Sequence, residues 1–314
     1  MKKFLSMLLL FFGLLGLLAW GMDFLITRQF KKVEASPFAN WNDIYNTDIN
    51  ADILIMGSSR AYVQFNPRIL DSALHISSYN LGMDGRAVES QVIKYHVYRR
   101  EQKKKPQLIL FEVYQGTMAV SNGYQRIQFV PYLNDAYLWR QTHKLEDFSW
   151  ADAVIPCWRY RNYIQEIKEV IGGTSFYCQP EQKAYKGFCD YDKPWDGSML
   201  ARIDTIIYSR EPEAVAEVVH FLEECQQEQI QVAFVVAPYY IGATRKIEDL
   251  DGWYGMMSAI AKPFDVPILD YTYDSLSYDT AYFYNASHLN RVGAALFTQK
   301  LAHDLDSLGL VPKR

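Results

Sequence analysis

The sequence predicts an α/β fold in which a parallel sheet of about five strands is covered by helices on both faces. Short aliphatic runs alternate with segments of helical periodicity over much of the chain. Strands that are apolar throughout are typical of parallel sheets whose two faces are both buried. The chain has 314 residues, 49% of them hydrophobic, which is enough to fill the core of one large domain.

The predicted strands are short apolar runs that stop at turns or at prolines. The first runs directly into Gly57, and another stops at Pro238. Because ligands bind at the carboxyl ends of parallel strands, the segments that follow the strands should share one edge. The predicted strands are 53–56, 76–81, 106–113, 230–237 and 266–270, the predicted helices include 86–104, 212–229 and a last helix capped by Asn290, and the segments expected at the edge are Ser59, 82–85, 114–116 and 238–240.

The N-terminus carries an apolar segment that is long enough to cross a bilayer. Two lysines precede it, and no charge occurs from Phe4 to Met22. A bilayer core takes about 20 helical residues, whereas the apolar part of a signal peptide has about 7–15. We therefore expect an uncleaved single-pass transmembrane helix in an anchor over residues 1–32, a linker over 33–50, and a domain from 51 to 314 that is extracytoplasmic.

Residues 117–208 interrupt the alternation of strands and helices and are rich in aromatic side chains. We interpret this stretch as an insertion beside the sheet, whose aromatics either pack its own core or form a platform for a sugar or an acyl chain. Cys178 and Cys189 flank a polar part of it, where a disulfide would suit an oxidising compartment. Cys225 falls on the apolar face of the predicted helix 212–229, so we expect it in the core.

Charge and composition exclude several classes of function. The net charge is −4 with a pI near 5.9, and no basic face or tail is present, so nucleic acid is not an expected partner. The cysteines and histidines do not have the spacing of a metal site, and the stretch Gly82–Gly85 lacks the full glycine fingerprint of dinucleotide-binding domains. No metal and no cofactor are therefore implied.

The strongest candidate for chemistry is the turn that follows the first predicted strand. That strand ends at Gly57, and the turn presents the hydroxyl groups of Ser58 and Ser59. A serine in this place either caps the following helix or acts as a nucleophile. His288, one of six histidines, lies in a loop before the last helix, where it could be a general base or could simply bond a backbone carbonyl.

Three sequence blocks, taken in their order, resemble the SGNH (GDSL-like) hydrolase superfamily. They are Gly-x-Ser at 57–59, Asn-x-Gly-x-x-Gly at 80–85, and Asn-x-x-His-Leu-Asn-x-x-Gly at 285–293. The resemblance covers about residues 50–116 and 230–308. It implies a flavodoxin-like sheet and a serine that attacks esters.

The resemblance also implies a role for each matching residue. Ser59 would be the nucleophile, His288 would be the general base, and Asn285 would orient that base. The backbone N–H groups of Ser59 and Gly85 would stabilise the oxyanion of the tetrahedral intermediate. Arg60 and Arg86, which follow the first two blocks, would either bind an anionic or polyhydroxyl substrate or form salt bridges at the sheet edge.

Two positions depart from the pattern of the superfamily. Asn285 stands where an Asp is usual, so it cannot stabilise an imidazolium by charge, although an amide can still fix the tautomer of the ring. Asp270 or Asp279 could supply the missing carboxylate. The third block, Glu112–Thr117, lacks the asparagine of the oxyanion hole, and the side-chain amide of Gln115 could replace it.

We therefore expect a serine esterase or O-acyltransferase that forms an acyl-enzyme on Ser59. The anchored N-terminus resembles the envelope branch of the superfamily, which includes DltD-like and alginate O-acetylation proteins. That branch implies a bacterial-type inner or cytoplasmic membrane, an acylated glycan or small ester as substrate, and a membrane acyltransferase as an optional partner. The alternative is a catalytically weak SGNH-like scaffold that binds polysaccharide or such a partner.

Overall fold

The computed structural model describes residues 1–34, 37–85, 87–119, 126–145, 147–172 and 184–312. Its centre is a five-stranded parallel sheet, accompanied by one short antiparallel hairpin. The strands of the sheet are β1 (Ile53–Met56), β2 (Ser78–Asn80), β3 (Leu108–Glu112), β4 (Gln231–Val236) and β5 (Ile268–Asp270), and those of the hairpin are β6 (Phe283–Asn285) and β7 (His288–Leu289).

The strand order β2-β1-β3-β4-β5 confirms the predicted flavodoxin-like sheet, and all five strands lie inside the predicted runs. Helices connect and cover the strands. They are α1 (Lys2–Phe30), α2 (Phe38–Asn46), α3 (Ser59–Gln64), α4 (Pro67–Leu74), α5 (Val88–Glu101), α6 (Ala136–Leu145), α7 (Trp150–Val154), α8 (Ile164–Gly172), α9 (Ser198–Arg202), α10 (Pro212–Gln227), α11 (Ile241–Thr244), α12 (Leu250–Ala261) and α13 (Arg291–Ser307).

Both faces of the sheet are buried, which explains why its strands read as continuous apolar runs. Alternate residues of β1 point to opposite faces, as the period of two along a strand requires. Leu54 and Met56 enter a core with α2, α5, α10 and α12, whereas Ile53 and Ile55 enter a second core with α4 and α13. Cys225 is buried on α10, as predicted.

The described part of the segment 33–50, which the sequence predicted as a linker, contains a helix that packs into the core. Its residues 38–46 form α2, and Trp41 is fully buried in the core. The asparagines of this segment bind tertiary partners, since Asn40 donates to the carbonyl of Asn80 and Asn42 donates to the carbonyl of Phe30. Asn-rich composition is typical of loops, but here the amides satisfy buried backbone groups.

The N-terminal helix α1 is the only helix in the described residues that is long and apolar enough to cross a membrane. Its first 18 residues are exposed and project from the domain. Its last two turns pack on the domain through Asp23, Thr27 and Phe30. Thr27 and Tyr160 share a hydrogen bond of 2.8 Å between their hydroxyl groups, so this end of the helix is joined to the insertion.

The insertion between β3 and β4 has two parts with different positions. Residues 126–145 and 147–160 pack against α2 and α5 through aromatic side chains, among them Tyr132, whose ring stacks on that of Trp41. Residues 184–196 instead run beside the hairpin β6–β7, where Asp196 donates its backbone N–H to Tyr284. The second part therefore lies next to the candidate catalytic residues.

Candidate active site

The nucleophile turn, residues 57–59, joins β1 to α3. Its two serines differ, because one caps α3 and the other does not. Gly57 has a φ of 143°, and an added Cβ would lie 2.7 Å from that of Glu112, so only glycine fits this path. Ser58 is the N-cap of α3, since its hydroxyl accepts a hydrogen bond from the backbone of Arg60 at 3.2 Å. Ser59 is thus the first helical residue, and its partly exposed hydroxyl is not used as the cap.

The histidine hairpin, residues 283–289, brings the candidate base to this serine. Asn285 ends β6 and His288 begins β7, and the two residues pair across the hairpin. The Oγ of Ser59 lies 2.8 Å from the Nε2 of His288, which is hydrogen-bond distance. Residues 229 positions apart are therefore brought into the contact that proton transfer needs.

The other ring nitrogen of His288 is held by Asn285 and Ser287. Nδ1 lies 3.0 Å from Oδ1 of Asn285 and 2.8 Å from Oγ of Ser287. The backbone N–H of Ser287 can only donate, and it donates to Asn285 at 3.0 Å, which identifies the amide atom there as the oxygen. Nδ1 then carries the hydrogen, and Nε2 presents its lone pair to the Ser59 hydroxyl.

Asn285 thus occupies the expected orienting position, and the acidic candidates do not. Asp270 accepts a hydrogen bond from the backbone of Thr272, and Asp279 accepts one from the backbone of Ala281. Neither carboxylate contacts His288 among the described residues, so the suggestion that one of them replaces the missing charge is wrong. The ring nitrogen is served by neutral groups.

The protonation state of His288 suits a base. Burial, and then the positive charge of Arg60, lower the pKa of His288 from its ordinary 6.5 to about 3. A usual triad carboxylate would oppose this shift by favouring the imidazolium. The imidazole is consequently neutral at pH 7 and can accept the proton of Ser59.

A buried ion pair between Glu112 and Arg60 stabilises the nucleophile turn. Glu112, at the end of β3, accepts from the backbone and the hydroxyl of Ser58 at 3.3 and 3.0 Å. Its second oxygen accepts from Nε of Arg60 at 2.8 Å, and both side chains are almost fully buried. The carboxylate therefore fixes the backbone that carries Ser59.

Of the two interpretations of Arg60, the structure has the salt bridge, because the guanidinium of Arg60 is used inside the protein. It donates to the carbonyl of Ser287 at 3.0 Å and to that of Ala237 at 2.6 Å, and it lies 4.5 Å from the ring centre of Tyr239. The side chain is 2% exposed. Arg60 thus joins α3, the end of β4 and the histidine hairpin. Arg86 lies outside the described residues.

Of the predicted oxyanion donors, the described contacts place some near the nucleophile turn and not others. The described hydrogen bonds leave the N–H of Ser59 without an acceptor. Gly85 follows β2 in a turn with a φ of 66°, and the turn lies near the site because the N–H of Met83 donates to the carbonyl of Gly57. Gln115 is buried, and no described contact joins it to Ser59. The roles of Gly85 and Gln115 stay predictions.

Aromatic rings cover the side of the catalytic histidine. The ring of Tyr284 stacks on His288 with centroids 5.3 Å apart, and Tyr191 stacks on Tyr284 at 5.2 Å. Tyr191 belongs to the 184–196 segment, which is held by the backbone bond from Cys189 to the carbonyl of Tyr62. Cys189 is disulfide-bonded, and Cys178 lies outside the described residues.

The sequence interpretation missed Glu112 and Ser287 as parts of the site. Glu112 did carry a signal, since it is the one charge at the end of an otherwise apolar strand, and a charge there demands a buried partner. Ser287 carried none, because a serine in a loop is common. Within the described residues, no three His, Cys, Asp or Glu side chains are placed to hold a metal ion.

No protein-family model matches the chain, and no curated protein matches it. Three solved structures share 10–11% sequence identity with it. A protein described as an acylhydrolase from Bacteroides fragilis has a TM-score of 0.40, with 87% of this chain and 97% of that chain covered. A protein described as a lipolytic protein of the G-D-S-L family from Desulfitobacterium hafniense has a TM-score of 0.38, with 81% and 99% covered. A family two carbohydrate esterase from Clostridium thermocellum, in complex with cellohexaose, has a TM-score of 0.40, with 84% and 66% covered. Structural similarity this low does not support a functional assignment, so the function is proposed from the geometry of the site itself.

Proposed function

We propose that the protein is a serine esterase or O-acyltransferase of the SGNH type, with Ser59 as the nucleophile. The observation that carries the proposal is the hydrogen-bonded series from Ser59 through His288 to Asn285, with distances of 2.8 and 3.0 Å. A nucleophile, a base and a group that orients the base are the parts that acyl transfer needs.

Each chemical step of this proposal has a candidate residue. Nε2 of His288 takes the proton of Ser59 as Oγ attacks the ester carbonyl, and the N–H of Ser59 donates to the resulting oxyanion, with Gly85 and Gln115 as further candidate donors. Collapse of the tetrahedral intermediate breaks the ester C–O bond, and His288 returns its proton to the leaving alkoxide. Water or a sugar hydroxyl then takes the acyl group by the same steps in reverse.

The apolar helix and the surroundings of the site support a proposed location and a proposed class of substrate. Helix α1 anchors the chain in a bacterial-type inner or cytoplasmic membrane with the catalytic domain outside the cytoplasm, and the disulfide at Cys189 suits that compartment. The stacked rings of Tyr191 and Tyr284 beside the base offer a face to a sugar or an acyl chain. An acylated glycan of the cell envelope fits these features, with a membrane acyltransferase as a partner that could supply or accept the acyl group.

One observation favours a second candidate, a catalytically weak scaffold of the same fold that binds polysaccharide or such a partner. Asn285 gives the ring its tautomer but no negative charge, so it does not stabilise by charge the imidazolium that forms when His288 takes the proton. The two candidates differ in whether Ser59 turns over an ester.

Hydrolysis of p-nitrophenyl acetate by the full chain in detergent tests the proposal. We expect Ser59→Ala and His288→Ala to lower the activity by at least about 10³-fold, since members of such a unit act together. Ser275→Ala is the matched control, because that exposed serine bonds only Asp274 among the described residues. Mass spectrometry should find the acetyl group on the peptide that contains Ser59. Activity that survives Ser59→Ala would overturn the proposal, and a folded wild type without activity would favour the scaffold.

A further inference from the structure

Four apolar side chains lie exposed beside α1, on α7 and the loop that follows it. The exposed fractions are 64% for Trp150, 63% for Val154, 39% for Ile155 and 44% for Trp158. We name them the 150–158 patch. Trp150 and Val154 are four residues apart on one helix, so they project from the same face.

Hydrogen bonds and ion pairs hold the backbone of the patch in place, so the patch differs from a loop whose side chains are apolar by chance. A capping box between Ser149 and Asp152 starts α7. Asp152 also pairs with Arg161, and Arg159 pairs with Asp23 of α1. Charged groups on both sides of the patch are therefore paired inside the protein, while the apolar side chains face outward.

The patch lies at the level where the apolar part of α1 ends. The thiol of Cys157 donates to the carbonyl of Ala19, and the N–H of Cys157 donates to Asp23 at 2.9 Å. Val154 and Ile155 line a small cavity together with Trp20. Ala19 lies four residues, about 6 Å along the helix, before Asp23, the first charge after the apolar run.

This contact fixes the height of the patch relative to a bilayer that α1 spans. The uncharged run from Phe4 to Met22 is close to the length of about 20 residues that crosses a hydrocarbon core of about 30 Å. The helix has little length to spare, so Ala19 lies near the boundary of that core. The residues that touch it lie at the same boundary.

We propose that the 150–158 patch inserts into the interface of the bilayer that α1 spans. This proposal rests on the membrane anchor of the proposed function and not on the proposed ester chemistry. Tryptophan is enriched at this depth because its ring is apolar and its N–H is polar. Trp20, Trp150 and Trp158 would form one belt there. A bilayer fits better than a protein partner because the span itself sets the depth. The domain is then held at two places, with its orientation to the membrane fixed.

Quenching of tryptophan fluorescence by brominated lipid tests the proposal on the full chain. The protein is reconstituted into vesicles of phosphatidylcholine with or without bromine on the acyl chains, and the quenched share of the emission is measured. The double variant Trp150→Phe with Trp158→Phe keeps the patch apolar and removes its reporters. We expect the quenched share to fall, because the lost emission came from rings next to lipid.

If Trp150 and Trp158 do not lie next to lipid, the double variant gives a different result. Trp20 stays on the apolar helix in every variant, so loss of two unquenched rings would raise the quenched share. Trp195→Phe is the matched control, since Trp195 packs against Tyr240 beside the candidate active site, and there we expect that rise. A quenched share that stays equal or rises in the double variant overturns the docking and leaves the face to a protein partner. A chain that does not float with vesicles overturns the anchor and the docking together, and neither outcome touches the ester chemistry.

Discussion

Replacing Asn285 by Asp should move the acid limb of the pH–rate profile upward. In the wild type the pKa of His288 is lowered to about 3, so the base stays neutral well below pH 6.5. A carboxylate in place of the amide would lie about 3.0 Å from Nδ1, the distance of the present oxygen. The bonds from Ser287 would remain, because a carboxylate oxygen accepts them equally well.

The size of the shift follows from charge interaction. At 3 Å, two unit charges interact by about 1.4 kcal/mol in water and by about 5 kcal/mol at an effective dielectric of 20. Opposite charges this close usually move a pKa by about 1–3 units. Since each unit is about 1.4 kcal/mol and the imidazolium is about half formed in the transition state, we expect the plateau of kcat/KM to rise by about 3- to 30-fold.

The assay is kcat/KM for p-nitrophenyl acetate between about pH 4 and pH 8, which reports the ionisation of the free enzyme. The sign is fixed, because a base with a lowered pKa loses activity only when the pH falls through that pKa. Asn66→Asp is the matched control, since it adds the same charge at the N-cap of α4, where Asp caps equally well. A wild-type limb near pH 6.5 that Asn285→Asp leaves unmoved would contradict both the lowered pKa of His288 and the orienting role of Asn285.

Three further substitutions test the supports of the site. Glu112→Ala should lower the free energy of unfolding by about 3–5 kcal/mol, because it leaves Arg60 buried without its carboxylate, and urea denaturation measures this. Glu112→Ala should also lower kcat more than it raises KM, since the turn that holds Ser59 loses its support. Gly82→Ala should cost about 1–3 kcal/mol in the same assay, because its Cβ would lie 2.5 Å from the backbone nitrogen of Tyr62. Ser287→Ala should reduce kcat by about 5-fold, the value of one hydrogen bond of about 1 kcal/mol, and leave KM unchanged. An unchanged urea denaturation curve for Glu112→Ala, or a change in KM alone for Ser287→Ala, would contradict these assignments.

The sheet could be predicted because its signal is local. All residues of β1 are apolar, as are those of β4 after Gln231, and runs of this kind are typical of strands that are buried on both faces. Helix α2 could not be predicted in this way. Its asparagines look like loop residues, and their partners, such as the carbonyl of Asn80, are distant in the sequence.

The candidate site was predictable where residue types are tied to chemistry. Ser59, His288 and Asn285 lie in contact, as the three blocks implied, although their catalytic roles stay proposals. The role of Arg60 could not be predicted from the sequence, because its position beside the nucleophile suits a substrate-binding residue and a buried structural residue equally well. Only the fold shows that Glu112 and the carbonyls of Ser287 and Ala237 already use its guanidinium.

The decisive experiment for the role of Ser59 is fluorophosphonate labelling of the full chain, because the probe reacts only with an activated serine and needs no knowledge of the substrate. We predict one labelled peptide, the one that contains Ser59, with no label after Ser59→Ala and a weak label after His288→Ala. Labelling that survives Ser59→Ala, with the label on Ser58 or another serine, would contradict it. So would a folded wild-type protein that takes up no label.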